Sequence, residues 1–320
     1  VRLTEFAENR LRRWPKLVAL MGIEHDLFTI LKELLEKTLD HPACQIADID
    51  SDFARALLQE EDIVPEIVNW PLEEKHNKLL YYSVLSSQEI QEEPNYHNCV
   101  PDIGLPKRPY LREVSFVICA WSSLEKFPFQ FVPMHRLEET EDDTKRLATY
   151  TQNVLDLTKN WEDQQQAERI QATKSLLEIL KKRGLLTLLR VRKTAGSVDI
   201  LPPSEGALMQ SFNKKHSENS PALLSVGARA LSKHCLRSTD KWWGSDNGTE
   251  ILKNFRAEIL VKKIIVNCVW INIHLLPHNV KIFEIRVAEG YGARWLFDGS
   301  QFRGFLEPQM EDGHEKGWIH

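Results

Sequence analysis

Trp270-Ile271-Asn272-Ile273-His274-Leu275 and Lys281-Ile282-Phe283-Glu284-Ile285-Arg286-Val287 are the two runs on which the fold turns. In the first, Ile271, Ile273 and Leu275 share one face while Trp270, Asn272 and His274 share the other. In the second, Phe283, Ile285 and Val287 oppose Ile282, Glu284 and Arg286. Side chains of an extended chain alternate between two faces, so a period of two predicts half-buried strands. Gly290 to Gln309 then predicts a hairpin, because Asp298-Gly299 is the favoured pair for a two-residue type I′ turn. That register sets Phe297 opposite Ser300, Trp295 opposite Phe302, Ala293 opposite Gly304 and Tyr291 opposite Leu306 on the core side, with Arg294 opposite Arg303 on the other.

Immediately before these strands the period is helical. Thr249 precedes Leu252, Phe255, Ile259, Leu260, Ile264 and Ile265, and Ser220-Pro221 offers a cap and a first-turn proline ahead of Leu223, Leu224, Val226, Ala230 and Leu231. Residues 221–320 therefore read as an α+β module in which two helices pack on a small, mostly antiparallel sheet.

The rest of the chain reads as helix-rich. Residues 1–93 carry apolar helical faces, such as Leu27, Ile30, Leu31, Leu34 and Leu35, and Ser51 or Asp52 is placed to cap a helix bearing Phe53, Ala56 and Leu57. Another helix is expected from Pro71 through Tyr82. Residues 94–109 are rich in Pro and Asn and read as a loop. Residues 110–201 form a second helical region. In it Val114 to Trp121 suits either a buried strand or a helix, and Leu147, Tyr150, Val154, Leu157 and Trp161 mark a long helix after Asp142-Asp143. Lys181-Lys182-Arg183-Gly184 is expected to end the helical tract, with Leu185 to Arg192 as a strand turned back at Lys193 to Ser197 into a β-hairpin. Residues 202–220, with paired prolines and a polar run, read as a linker.

Composition bounds the function classes. Apolar residues make up 42% and charged residues 27%, ordinary for a folded globular chain. No apolar run approaches the ~18 residues of a membrane span, so no membrane partner is expected. The chain starts at Val1 rather than Met, as a trimmed sequence would; its five cysteines are scattered and odd in number, which fits reduced thiols and a cytoplasmic or nuclear location. The net charge is −5, with 28 Lys/Arg against 35 Asp/Glu up to residue 220 and 13 against 11 after it, so the whole-chain field does not favour nucleic acid.

Three candidate sites emerge. Arg286, Arg294 and Arg303 can share one sheet face, where guanidinium forks would hold a phosphate-bearing ligand and Trp242, Trp243 or Trp318 could stack a base, unless Glu284, Glu289 and Glu307 neutralise them. His274, His278, His314 and Glu315 supply donors suited to a divalent metal, though His274 and His278 straddle Pro277 and cannot form a same-face helical pair. Lys181, Lys182, Arg183, Arg190, Arg192 and Lys193 place six cations and no acid within thirteen residues, a pattern suited to a nucleic-acid-binding wing. Phosphate-loop, dinucleotide and nucleophile-elbow motifs are absent, and Cys268 reads as a buried core thiol. The leading expectation is a non-enzymatic binding or scaffold protein with a protein partner and an anion-binding sheet face. The alternatives are a metal-dependent hydrolase or nuclease built on the C-terminal His/Glu cluster, and nucleic-acid binding through residues 181–193. No cofactor is indicated.

Overall fold

The computed structural model describes residues 21–41, 46, 48–60, 103–131, 133–139, 143–217, 219, 221–237 and 242–309. The helix expected at Pro71–Tyr82 and most of the 94–109 loop lie outside these residues.

The chain is α+β, with nine α-helices among the described residues followed by a four-stranded antiparallel sheet. Helices α1 (Met21–Asp40), α2 (Ser51–Leu58) and α3 (Tyr110–Leu124) pack together, and α4 (Asp143–Ala148), α5 (Thr151–Thr158) and α6 (Gln166–Leu188) close the upstream part. The ambiguous run Val114–Trp121 is helical: every residue from Val114 to Trp121 is buried, so no face periodicity could show in the sequence. The Asp50 side chain, one residue earlier than expected, caps α2 by accepting from Phe53 N. The long helix read after Asp143 is broken into α4, α5 and a 3-10 turn at Trp161–Asp163, with Asn160 at φ 52° marking one break.

Helices α7 (Glu205–Asn213), α8 (Val226–Arg237) and α9 (Glu250–Asn267) lead into the sheet. Thr249 caps α9, its hydroxyl accepting from Leu252 N at 3.3 Å. Helix α8 starts later than Ser220-Pro221 suggested, with Ser225 Oγ accepting from Ala228 N. Strands β1 (Trp270–Leu276), β2 (Val280–Arg286), β3 (Gly292–Leu296) and β4 (Phe302–Leu306) pair in that order. Ile271, Ile273, Phe283, Ile285, Ala293, Trp295, Phe302 and Phe305 form the apolar face and belong to the buried core. Phe302 lies edge-on to both Phe212 of α7 and Trp295, and Trp295 Nε1 donates to Leu208 O, so the indole is buried without losing a hydrogen bond.

The final hairpin departs from the expected register. Leu296 O accepts from Gly299 N, and Gly299 alone in the turn takes a positive φ, 76°; a type I′ turn would require Asp298 there too. Trp295 pairs with Phe302 as expected, but a bulge then sets Arg294 opposite Gly304 and Ala293 opposite Phe305. The like-charged Arg294–Arg303 pair does not form. Residue 303 is the extra one in the bulge, and its side chain is exposed.

Residues 181–198 also fold differently from the sequence reading. Lys181 sits at φ 56° and interrupts α6, but the helix resumes and runs to Leu188, with Leu185, Leu186 and Leu188 all buried in the core. No wing forms. The following segment instead lies along the outer edge of β1: Arg192 N donates to Ile271 O at 2.7 Å, Val198 N to Ile273 O at 2.8 Å, and Leu275 N to Gly196 O at 2.9 Å. A second junction lies at the foot of the sheet, where Gly104 N donates to Cys268 O and Arg190 reaches Gly104 O.

Candidate functional site

The second sheet face is polar at its centre. The pairing Asn272↔Glu284↔Arg294 crosses three strands, with Trp270↔Arg286 and His274↔Ile282 beside it, so alternation places Asn272, His274, Glu284, Arg286 and Arg294 on one surface. Glu284 is the hub and is only 2% exposed. Its Oε2 accepts from Arg294 Nη2 at 2.7 Å and Nε at 3.0 Å and lies 3.3 Å from His274 Nε2, while Oε1 accepts from Arg286 Nε at 2.6 Å. Burial by itself raises the Glu284 carboxyl, but the His274 hydrogen bond and the Arg286 and Arg294 charges outweigh it and hold the group well below the usual carboxylate range. Glu284 is thus a fixed anion.

That charge sets the state of its neighbours. A carboxylate can only accept, so His274 carries a proton on Nε2, and the neutral ring keeps its lone pair on Nδ1. Arg294 is part-exposed and retains guanidinium N–H groups beyond the two given to Glu284. Arg286 is buried and further held by Gly290 O at 2.6 Å and Glu307 O at 2.9 Å. The cluster therefore combines a part-exposed imidazole oriented by a permanent carboxylate with an adjacent guanidinium, a set suited to proton transfer beside a developing negative charge.

A second cluster lies at the foot of the hairpin. His234 Nδ1 is 2.9 Å from Glu307 Oε1, and Trp243 Nε1 donates to the same oxygen at 2.7 Å. Trp242 stacks on Tyr291 with ring centroids 4.2 Å apart. Trp242 and Trp243 are thereby occupied in packing.

The remaining sequence candidates are dispersed. Arg286 and Arg294 converge, but on Glu284, and Arg303 stands apart on the bulge. His278 is exposed at φ 65° in the β1–β2 connection. Trp318, His314 and Glu315 lie outside the described residues, and no group of three or more His, Cys, Asp or Glu placed to hold a metal occurs among the described ones. In the basic segment, Lys182 pairs with Asp50, Arg183 with Asp143 and Asp199, Arg190 with Glu113 and Arg192 with Glu139. Four of its six cations are spent on internal carboxylates. Sequence reasoning named His274 as a metal donor and Glu284 as a counter-charge but did not pair them; the signal available was two polar residues on the alternating non-core faces of neighbouring strands.

Residues 213–307 match the family model described as the CdiA C-terminal tRNase toxin domain. The matched segment begins at the end of α7 and contains α8, α9 and the whole sheet. Comparison with curated proteins and with solved structures finds no match. The family match overturns the expectation of a non-enzymatic binding or scaffold protein with an anion-binding face, and it favours the nuclease alternative over it.

Proposed function

We propose that residues 213–307 form a toxin nuclease domain that cleaves tRNA, with His274 as general base and Arg294 beside the scissile phosphate. The observation that carries this reading is the His274–Glu284–Arg294 cluster lying on the polar face of the segment that matches the tRNase toxin family. RNA carries its own nucleophile. His274 Nδ1 takes the proton of a ribose 2′-hydroxyl, the 2′-oxygen bonds to the adjacent phosphorus, and the P–O5′ bond breaks, with the 5′-oxygen taking a proton from water. Glu284 keeps the imidazole in the required tautomer and orientation, and Arg294 donates to a non-bridging oxygen as charge accumulates there. The products are a 2′,3′-cyclic phosphate and a 5′-hydroxyl.

Incubating the full chain with tRNA and sequencing the fragment ends tests this. Single-site cleavage with those end groups is expected, and His274→Ala should slow it by ~10²–10⁴-fold, the range for loss of a general base. A 5′-phosphate end, or a His274→Ala variant as fast as the original, would overturn the assignment.

A further inference from the structure

Asn272 sits directly opposite Glu284 and two residues from His274 on the same face, and it is completely buried. A buried amide needs partners for both ends. It finds them outside the matched segment: Ser197 Oγ donates to Asn272 Oδ1 at 2.8 Å, and Asn272 Nδ2 donates to Thr194 Oγ1 at 2.9 Å. The two hydroxyl residues are fixed relative to one another, because Thr194 N donates to Ser197 Oγ at 2.8 Å and Ser197 N to Thr194 O at 3.1 Å. Ser197 is also bridged backbone to backbone with His274, and the main-chain bonds on either side tie the turn to Ile273 and Leu275. Both main-chain neighbours of His274 are therefore held by residues upstream of 213.

We infer that the Thr194–Ser197 turn is part of the nuclease site, and that Thr194, Ser197 and Asn272 are positioning residues for His274. The inference rests on the proposed function. Its physical basis is that a strand at the sheet edge is free to twist and fray, whereas β1 here is pinned from outside at the step that carries the base. A displacement of the base by about 1 Å is enough to cost up to ~100-fold in rate. The catalytic unit then extends beyond the 213–307 segment to include this upstream turn.

The test uses the full chain carrying Thr194→Val with Ser197→Ala, compared with Ser197→Thr, which keeps the hydroxyl. Rates of tRNA cleavage are measured at saturating and subsaturating substrate, at a temperature where melting curves show every variant folded. The expected result is a loss of about tenfold or more in kcat with KM nearly unchanged, a further change in the pH profile of kcat, and recovery in Ser197→Thr. Unchanged or increased kcat in the double variant overturns the inference, the increase meaning that the turn restrains the site. A loss confined to KM, or one that disappears once the folded fraction is restored, overturns it as well. If the wild type does not cleave tRNA, the nuclease assignment itself fails, and if His274→Ala cleaves at the wild-type rate, His274 is not the base; both outcomes are separate from the behaviour of the double variant.

Discussion

Glu284 lies directly across the β2–β3 ladder from Arg294 and accepts two hydrogen bonds from its guanidinium, at 2.7 and 3.0 Å, on one carboxylate oxygen. A cross-strand pair on a sheet surface is ordinarily worth less than 1 kcal/mol or so. This one differs because the acid is buried and a second arginine, Arg286, takes its other oxygen. Glu284 and Arg286 are both buried and have no water to turn to, so each depends on the other, whereas Arg294 is part-exposed.

Replacing Glu284 by Gln leaves Arg286 buried without its counter-charge and should cost ~3–5 kcal/mol of stability at neutral pH, as for other broken buried pairs. Urea denaturation gives the number. A cost below about 1 kcal/mol would mean that the cations find other compensation.

The same residue sets an acid limb. Because the folded-state carboxyl of Glu284 is depressed, its contribution is fully present above its ordinary value of 4.5 and is lost progressively as pH falls below it towards the folded value. Denaturation midpoints at pH 7, 5, 4 and 3 should fall steeply for the wild type between the last two and less steeply for Glu284→Gln. Parallel curves would show that other carboxylates govern acid unfolding.

Arg294 and Arg303 should separate cleanly. Arg294→Gln removes a guanidinium bonded to the buried carboxylate and should cost about 1–2 kcal/mol, the value discounted because the arginine is part-exposed. Arg303→Gln changes an exposed side chain on the bulge and should stay within about 0.5 kcal/mol of the wild type. Thermal melts of the two variants side by side decide it.

Thiol chemistry reports the packing. Burial pushes the Cys268 thiol up to about 12 and raises Cys119 further, and both side chains are fully covered. Cys235 is also raised, by burial and then by the Asp246 charge, but it is part-exposed. Alkylation of native protein at pH 8, read residue by residue by mass spectrometry, should modify Cys235 before Cys119 and Cys268. Early labelling of Cys268 would indicate that α9 opens at its C-terminal end.

Gly104 is a backbone-constrained contact between the upstream part and the C-terminal end of α9. Its φ is 84°, and an added Cβ would lie 2.9 Å from Val266 O, so Gly104→Ala should cost ~1–3 kcal/mol through strain and displacement of the junction. The readout is the melting temperature, and no change would mean that this junction is not tightly held in solution.

The alternation in 270–275 and 281–287 was sufficient to read two strands, and the Thr249 cap with its apolar stripe was sufficient to read α9, because side-chain period and helix capping are local properties. Burial on all sides defeated the same logic at Leu185–Leu188, where an all-apolar run carries no period that separates helix from strand. The turn expected at Asp298-Gly299 lies one residue earlier, centred on Phe297-Asp298 and closed by Leu296 O and Gly299 N, and a single bulged residue after Phe302 was enough to move Arg303 out of line with Arg294.

What local sequence determined, then, was the α+β class, the alternation of β1 and β2 and a shared face for Glu284, Arg286 and Arg294. Which of them touch, and which charges survive unneutralised, was decided only by the tertiary structure. The basic run at 181–193 looks cationic in sequence because the carboxylates that cancel it, among them Glu113, Glu139 and Asp50, are tens of residues away along the chain. Thr194 and Ser197 reach Asn272 across more than seventy residues. Hydrogen bonds and ion pairs fall off within a few ångströms, so their partners are fixed by chain packing, and nothing in the residues on either side of a strand records them.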